Sequence, residues 1–152
     1  MADDELTDLG ARVLEHFRRV HSRVFMGDPV SNPKLKVDVL GEAVAHDTPS
    51  LVLITPWMLN GLAFPPDGAL PETLTINGRA YPVFLADIEG IGLTHSINLV
   101  AAVETMTSHA AARSAALALA GPFHEALARA REVEQVADPG RRRLLRLDID
   151  RA

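Results

Sequence analysis

The chain contains a short apolar run, Leu51-Val52-Leu53-Ile54, that stands between Pro49 and Pro56. The run is too short for a typical helix, and unbroken apolar character over so few residues favours a central strand. Because proline cannot continue a strand ladder, Pro56 should end this strand and bring Trp57 to the surface or into a cleft. The sequence therefore predicts a sheet built around residues 51–54.

Before this run, the apolar residues recur at spacings of three and four, which indicates one amphipathic helix. They are Leu6, Leu9, Val13, Phe17, Val20 and Val24. A neighbouring stripe is basic and consists of Arg12, His16, Arg19 and Arg23. Glu15 precedes Arg19 by four residues, a spacing at which an ion pair can form. A solvated flank and an anion site both explain the stripe, and the frequency of charged helix faces favours the flank.

Alternation of apolar and polar residues predicts further strands. A first strand follows Leu35, with Val37, Val39, Gly41 and Ala43 alternating, and a later one alternates at Leu93, His95, Ile97 and Leu99. Between them, Asn77-Gly78 is typical of a hairpin turn. The second arm of this hairpin, residues 79–85, contains Pro82, which indicates an edge position or a bulge. Residues 87–92 should form a turn, for a total of four or five strands.

The C-terminal part is predicted to be helical. Residues 107–120 are rich in alanine, and Thr107 or Ser108 can cap this helix. Gly121-Pro122 should interrupt it and start a second helix that runs to about Val136. The tail, residues 141–147, is either a short strand or a loosely held basic segment.

These elements predict an α+β fold in one domain, residues 1–152, with residues 1–5 and 148–152 as disordered ends. An N-terminal amphipathic helix precedes a mostly antiparallel sheet, and the C-terminal helices pack on one face of it. If no other element covers the opposite face, that face is a place for a partner.

Composition excludes several classes of function. The chain has no cysteine, which rules out disulfides, cysteine-ligated metals and a cysteine nucleophile. A net charge of −5 without a broad basic block argues against a nucleic-acid partner. No apolar run is long enough for stable membrane insertion, and the acidic start is unlike an export signal, so we expect a cytoplasmic protein.

We find no pattern that predicts a cofactor, a metal or a catalytic centre. The six histidines lack the spacing of metal ligands, and the serines lack a nucleophile elbow. Asp87 and Glu89 are two residues apart and could act as a carboxylate pair, although a solvated turn explains them more simply. The alternation that includes His95 leaves open a small enzyme that uses Asp87, Glu89 and His95 on one face.

The segment after Ile54 is expected to be a loop that carries Trp57, Met58, Leu59, Leu62 and Phe64. Such residues either fold back onto the core or form an exposed patch that grips another apolar chain. Core packing is the commoner use of one large aromatic residue. A patch that pairs with a second copy of the chain, giving a self-associating structural domain, is a further alternative.

The run Val52-Leu53-Ile54-Thr55-Pro56-Trp57-Met58-Leu59-Asn60, followed by Phe64-Pro65, is similar to the signature of the HybE/HupJ family of NiFe-hydrogenase assembly chaperones. The resemblance extends less sharply to Asp87-Ile88-Glu89-Gly90, the strand with Ser96, the alanine-rich helix and Gly140-Arg141-Arg142. The chain departs from the family at Leu99-Val100-Ala101-Ala102, where a Ser-Pro step is expected, and this puts its partner specificity in doubt. Without cysteines it also cannot carry the rubredoxin that is fused to some relatives.

The resemblance implies a non-enzymatic protein without cofactors that binds hydrogenase subunits before export. The expected partners are the small-subunit precursor, with its twin-arginine signal peptide, and the large subunit. A twin-arginine signal has a basic start and an apolar middle, so a binder should offer carboxylates beside an apolar groove. The residues hypothesised to bind the partner are Thr55, Pro56, Trp57, Met58, Leu59, Asn60, Phe64, Asp87 and Glu89.

Overall fold

The computed structural model describes residues 2–25 and 31–137. The helices are α1 (Asp3–Val20), which continues into a π-helical turn (His21–Phe25), a 3-10 turn (Val103–Thr105) and α2 (His109–Ala137). The strands are β1 (Asp38–Ala45), β2 (Thr48–Thr55), β3 (Met58–Ala63), β4 (Thr73–Ile76), β5 (Arg79–Pro82), β6 (Phe84–Ile88) and β7 (Gly92–Val100). Because α1 begins at Asp3, part of the segment 1–5 is helical. The tail residues 141–147 and the end 148–152 lie outside the described residues.

The predicted α+β class is confirmed. Five strands form an antiparallel sheet in the order β1-β2-β3-β7-β6, and β4 and β5 form a separate hairpin. On β2, Leu51 and Leu53 pack in the cluster that contains α1, whereas Val52 and Ile54 pack in the cluster that contains α2. The two helices therefore cover opposite faces of the sheet, and β2 is completely buried between them, as its sequence indicates.

The prediction of a loop after Trp57 is wrong, because residues 58–63 form β3 in the middle of the sheet. This strand pairs with β2 on one side and β7 on the other. It shows no clear alternation of polar residues since both of its faces are covered: Leu62 packs toward α1 and Leu59 toward α2. Only Pro56 and Trp57 remain in the turn between β2 and β3.

The predicted break at Gly121-Pro122 is also wrong, because α2 is one helix of 29 residues with Pro122 inside it. Proline removes the hydrogen bond to the carbonyl of residue 118 and strains the preceding turn. Ala118 is exposed, so water can satisfy its carbonyl, and Phe123 and Leu127 are completely buried against the sheet. Because Ala116 is also completely buried, helix residues on both sides of the proline pack in the core, and this keeps the helix continuous. Ser108 caps it, as predicted, by accepting a hydrogen bond from the Ala111 amide at 3.0 Å.

The other strand predictions hold with local shifts. The Asn77-Gly78 hairpin is confirmed, and both turn residues have the positive φ that a type I′ turn requires, 51° and 77°. The predicted second arm, residues 79–85, is too long, because β5 ends at Pro82 and residues 84–88 form β6 in the main sheet. The turn predicted at residues 87–92 is correspondingly shorter and comprises residues 89–91. In β1, a register shift between Leu40 and Ala43 coincides with a left-handed Gly41, so the predicted alternation does not continue across it.

A buried arginine joins three separate parts of the fold. Arg131 of α2 is 1% exposed and binds both carboxylate oxygens of Asp47, in the β1–β2 turn, at 2.8 Å. It also contacts Asp67, in the loop after β3, at 2.9 Å and donates to the carbonyl of Ala69. The hydrogen bond from Arg131 holds the pKa of Asp47 below its usual range, against the opposing effect of burial. A buried guanidinium without these partners would be strongly unfavourable.

We predict that Asp47→Asn lowers the free energy of unfolding by about 2 kcal/mol at neutral pH, because it weakens a charge-assisted bidentate contact. The folded-state pKa of Asp47 is lowered, so its contribution is present above the unfolded-state pKa of about 4 and is lost as pH falls below it. The difference in the free energy of unfolding between wild type and variant, measured by urea denaturation, should therefore shrink below about pH 4. Asp87→Asn, which replaces an exposed carboxylate, is the control. If the stability difference between wild type and Asp47→Asn were the same at acid pH, the contribution assigned to the Asp47–Arg131 contact would be contradicted.

A second prediction concerns Gly61 of β3, which lies on the ring of Phe123. A Cβ atom at Gly61 would be 2.6 Å from the Cζ atom of Phe123, closer than packing allows. Gly61→Ala should lower the free energy of unfolding by about 2 kcal/mol, measured by chemical denaturation. Gly121→Ala is the control, since no atom lies within 4 Å of its added Cβ. Phe123→Leu should recover part of the loss in Gly61→Ala, and strictly additive effects would contradict the contact.

Candidate partner-binding surfaces

The Thr55-Pro56-Trp57-Met58 segment is a tight turn between β2 and β3. The hydroxyl of Thr55 accepts hydrogen bonds from the amides of Trp57 at 3.2 Å and Met58 at 3.0 Å. The carbonyl of Pro56 accepts from the amide of Asn32 at 2.6 Å, which ties the turn to the chain before β1. Thr55 and Pro56 are buried. These two residues therefore hold the turn in shape and offer no side-chain surface to a partner.

Trp57 and Met58 are half-buried, between the two alternatives that the sequence left open. The ring of Trp57 lies 5.8 Å from the ring of His21, in the π-helical turn after α1. Met58 packs at the margin of the α1 cluster and keeps part of its surface accessible, and so does Phe64, although Phe64 lies beyond the opposite end of β3, away from the turn. The turn thus presents a partly exposed apolar surface beside the end of α1.

The last two residues of the motif point into the protein. Leu59 is completely buried under α2, and Asn60 is 9% exposed. The side-chain amide of Asn60 donates to the hydroxyl of Ser96 at 2.7 Å and so connects β3 with β7. Its Oδ1 atom has no hydrogen-bond partner among the described residues. In this conformation both residues stabilise the sheet and lie away from any partner.

The two carboxylates expected beside Trp57 lie at the other end of the sheet. Leu59 pairs with Val100, which places Trp57 near the C-terminal end of β7. Glu89 lies in the turn before Gly92, where β7 starts. At the rise of an extended strand, the two ends of β7 are about 25 Å apart. A partner that contacts both Trp57 and Glu89 must therefore extend along the sheet.

Sequence reasoning missed the exposed apolar side chains at the open edge of the sheet. β6 is the last strand in the order, and no strand of the described chain pairs with its outer edge. Phe84 is 58% exposed and Leu85 64%, and Leu93 on β7 is 48% exposed. Asp87, on β6, is also exposed. We call Phe84, Leu85, Asp87 and Leu93 the β6 edge surface. The signals for it were the unbroken apolar run after Pro82 and the edge position that Pro82 indicates.

Asp87, Glu89 and His95 do not form a common site. His95 is 2% exposed and lies near Gly68, Asp67 and Arg131, whereas Asp87 faces solvent. Burial lowers the pKa of His95, which favours its neutral form. Glu89 lies in the turn that faces α1. Within residues 2–25 and 31–137, no group of three or more potential ligands is placed to hold a metal ion.

Two other histidines are engaged in bonds that join elements. The side chain of His124 on α2 contacts the hydroxyl of Ser50 at 2.7 Å and the carbonyl of Gly41 at 2.7 Å. His109 contacts the carboxylate of Asp38 at 3.0 Å. Ser50 is completely buried, so the Ser50–His124 pair is closed to a substrate. Both contacts attach α2 to the first two strands.

In the part of the chain that the structure describes, no helix is long and apolar enough to cross a membrane. Self-association through the Trp57 surface stays a prediction. Because the ring of Trp57 is half-buried, it offers a smaller apolar area for self-association than an exposed loop would.

Comparisons with known proteins agree with the resemblance in the sequence. Residues 8–147 match the family model described as NiFe-hydrogenase assembly, chaperone, HybE. The hydrogenase expression/formation protein HoxT of Azotobacter vinelandii is 32% identical over 114 residues, which cover 70% of this chain and 74% of that protein. No solved structure matches significantly. The match over most of its length shows that this chain belongs to the HybE family of NiFe-hydrogenase assembly chaperones.

Proposed function

We propose that this chain acts without catalysis in the cytoplasm, where it holds the precursor of a NiFe-hydrogenase small subunit, with its twin-arginine signal peptide, until assembly is complete. The large subunit is a second candidate partner. The observation that carries this proposal is the β6 edge surface, where exposed apolar side chains and a carboxylate lie at a sheet edge with which no strand of the described chain pairs.

The β6 edge surface suits an extended peptide for two reasons. An edge strand presents unpaired backbone amides and carbonyls, to which another strand can add by main-chain hydrogen bonds. Phe84 and Leu85 project on opposite faces of the sheet, since neighbouring residues of a strand alternate. Apolar residues of an added strand would therefore find an apolar neighbour on each face.

Charge supports the same class of partner. Asp87 and Glu89 make no ion pair with the described residues, so both can meet the basic start of a signal peptide. The apolar middle of that peptide would follow β6 past Phe84 and continue toward Trp57 and Met58, whereas Phe64 follows the opposite end of β3 and lies off this path. The distance of about 25 Å corresponds to roughly eight extended residues.

The remaining motif residues support this surface from within. Thr55 and Pro56 shape the turn that carries Trp57, while Leu59 and Asn60 anchor β3 between its neighbours. In this proposal they act on binding through the position of the turn. A substitution such as Asn60→Ala should therefore reduce stability before it reduces binding.

We predict that Phe84→Ser/Leu85→Ser weakens capture of the small-subunit precursor about tenfold or more, because each side chain would lose apolar burial in the complex. Trp57→Ala and Asp87→Asn/Glu89→Gln should each weaken it by a smaller factor. The measurement is the affinity of the purified variants for precursor with its signal peptide, compared with precursor from which the peptide has been removed.

Leu117→Ser/Val133→Ser provides the matched control. These side chains lie on α2 and are 58% and 64% exposed, the same exposures as Phe84 and Leu85. Their substitution should leave capture unchanged. Equal affinity of folded Phe84→Ser/Leu85→Ser and wild type would contradict the proposed surface. Equal affinity for precursor with and without its signal peptide would contradict the signal peptide as the ligand. Light scattering on the dilute protein tests self-association separately.

A further inference from the structure

A groove runs between α1 and the β6–β7 turn, on the side of the fold where α1 lies. Its main cavity has a volume of about 440 Å³ and is lined by His16, Arg19, Val20, Arg23, Glu89 and Gly90. A neighbouring cavity of about 250 Å³ shares four of these residues and adds Arg12, Glu15 and Ile91. We call this combined space the basic groove. The stripe that the sequence placed on one flank of α1 thus forms one wall of a concavity.

The arginines of the basic groove differ in their partners. Arg12 contacts Asp8 at 3.0 Å and donates to the carbonyl of Gly90 at 3.2 Å, which joins the helix to the turn. Arg19 and Arg23 make no ion pair with the described residues, and the expected Glu15–Arg19 pair does not form. Like charges four residues apart destabilise a helix slightly. Two neighbouring guanidinium groups therefore line the groove without a direct ion pair, although the carboxylates of Glu89 and Glu15 line it as well.

A solvated flank does not explain this arrangement fully. Basic residues in the last turn of a helix interact favourably with its dipole, which accounts for Arg18 and Arg19. Arg23, however, lies beyond α1 in the π-helical turn, a rare conformation that is frequent at functional sites. It lines the same cavity as Arg19, whereas Arg18 does not. Arg18 also makes no ion pair with the described residues, so what distinguishes Arg19 and Arg23 is their place in the wall of the cavity.

The shape and charge of the basic groove favour a peptide over a polyphosphate. From residue 12 to residue 23 a helix rises about 16 Å, the length of about five extended residues. Glu89 and Glu15 in the wall repel any anion, and they repel a nucleic acid or a nucleotide more strongly, because its phosphates concentrate more negative charge than single carboxylates do. Glu89 can instead accept a hydrogen bond from a peptide amide, while the arginines bind carboxylates.

We propose that the basic groove binds an acidic peptide segment of a partner protein, with its carboxylates on Arg19 and Arg23. This site lies on the α1 side of the turn and is separate from the β6 edge surface, so it stands whether or not a signal peptide binds there. Glu89 borders both surfaces and has opposite effects on them. It repels an acidic peptide in the groove and attracts the basic start of a signal peptide.

The test uses the whole chain and a fluorescein-labelled peptide of about six residues in which glutamate and alanine alternate. Fluorescence anisotropy should show saturable binding at low salt, which weakens at about 0.15 M salt as exposed charges are screened. Arg19→Gln/Arg23→Gln should weaken binding about tenfold, and Glu89→Gln should strengthen it. Arg18→Gln/Arg129→Gln, which removes the same charge outside the groove, should leave the affinity unchanged.

Four outcomes would overturn the proposal. These are no saturable binding of the acidic peptide, equal binding by Arg19→Gln/Arg23→Gln, tighter binding of the corresponding lysine peptide, and displacement by inorganic phosphate at the same concentration as by the unlabelled peptide. The last result would indicate a general anion site. Precursor capture distinguishes this proposal from the proposed function, because Glu89→Gln should weaken that capture while it strengthens binding of the acidic peptide.

Discussion

Burial of the β2–β3 hairpin on both faces is the constraint on which the rest of this structure depends. β2 is completely buried, with Leu51 facing α1 and Val52 facing α2. α2 packs closely on β3 because Gly61 has no side chain and leaves space for the ring of Phe123. Polar contacts then fix the helices in place, above all the bonds of Arg131 to separate loops. A motif that appears to be a recognition loop is thus the centre of the core.

The same arrangement leaves the β6 end of the sheet uncovered by the helices. The helices pack mainly on β1 and β2, so β7 and β6 extend beyond them, and β6 ends the sheet without a further strand among the described residues. An assembly chaperone must bind a chain that has not reached its final structure, and an open strand edge can add to such a chain without a preformed pocket. The β6 edge surface is apolar and acidic, whereas the basic groove lies behind the same turn. The two surfaces would select segments of opposite charge, which bears on specificity more than on affinity.

The proposed binding surfaces could be predicted from the sequence only in part. Trp57 and the carboxylates were identified by their residue types, but their separation along β7 depends on strand order, which no local pattern encodes. Phe84 and Leu85 were missed because an apolar run predicts a strand but does not say whether that strand is central or at an edge. The sequence hypothesis includes Leu59 and Asn60 among the partner-binding residues, but both are buried. Burial is a property of what packs on a residue, and it is decided by distant parts of the chain.

The sequence by itself determined the elements whose signals are local. The amphipathic period of α1, the Asn77-Gly78 turn and the Ser108 cap each depend on a few neighbouring residues, and the structure contains all three. Only the tertiary structure decided that residues 58–63 are a strand and that α2 continues through Pro122. In both cases local preference was weak or unfavourable, and burial against the sheet outweighed it. Contacts between residues far apart in the chain therefore decided these two elements.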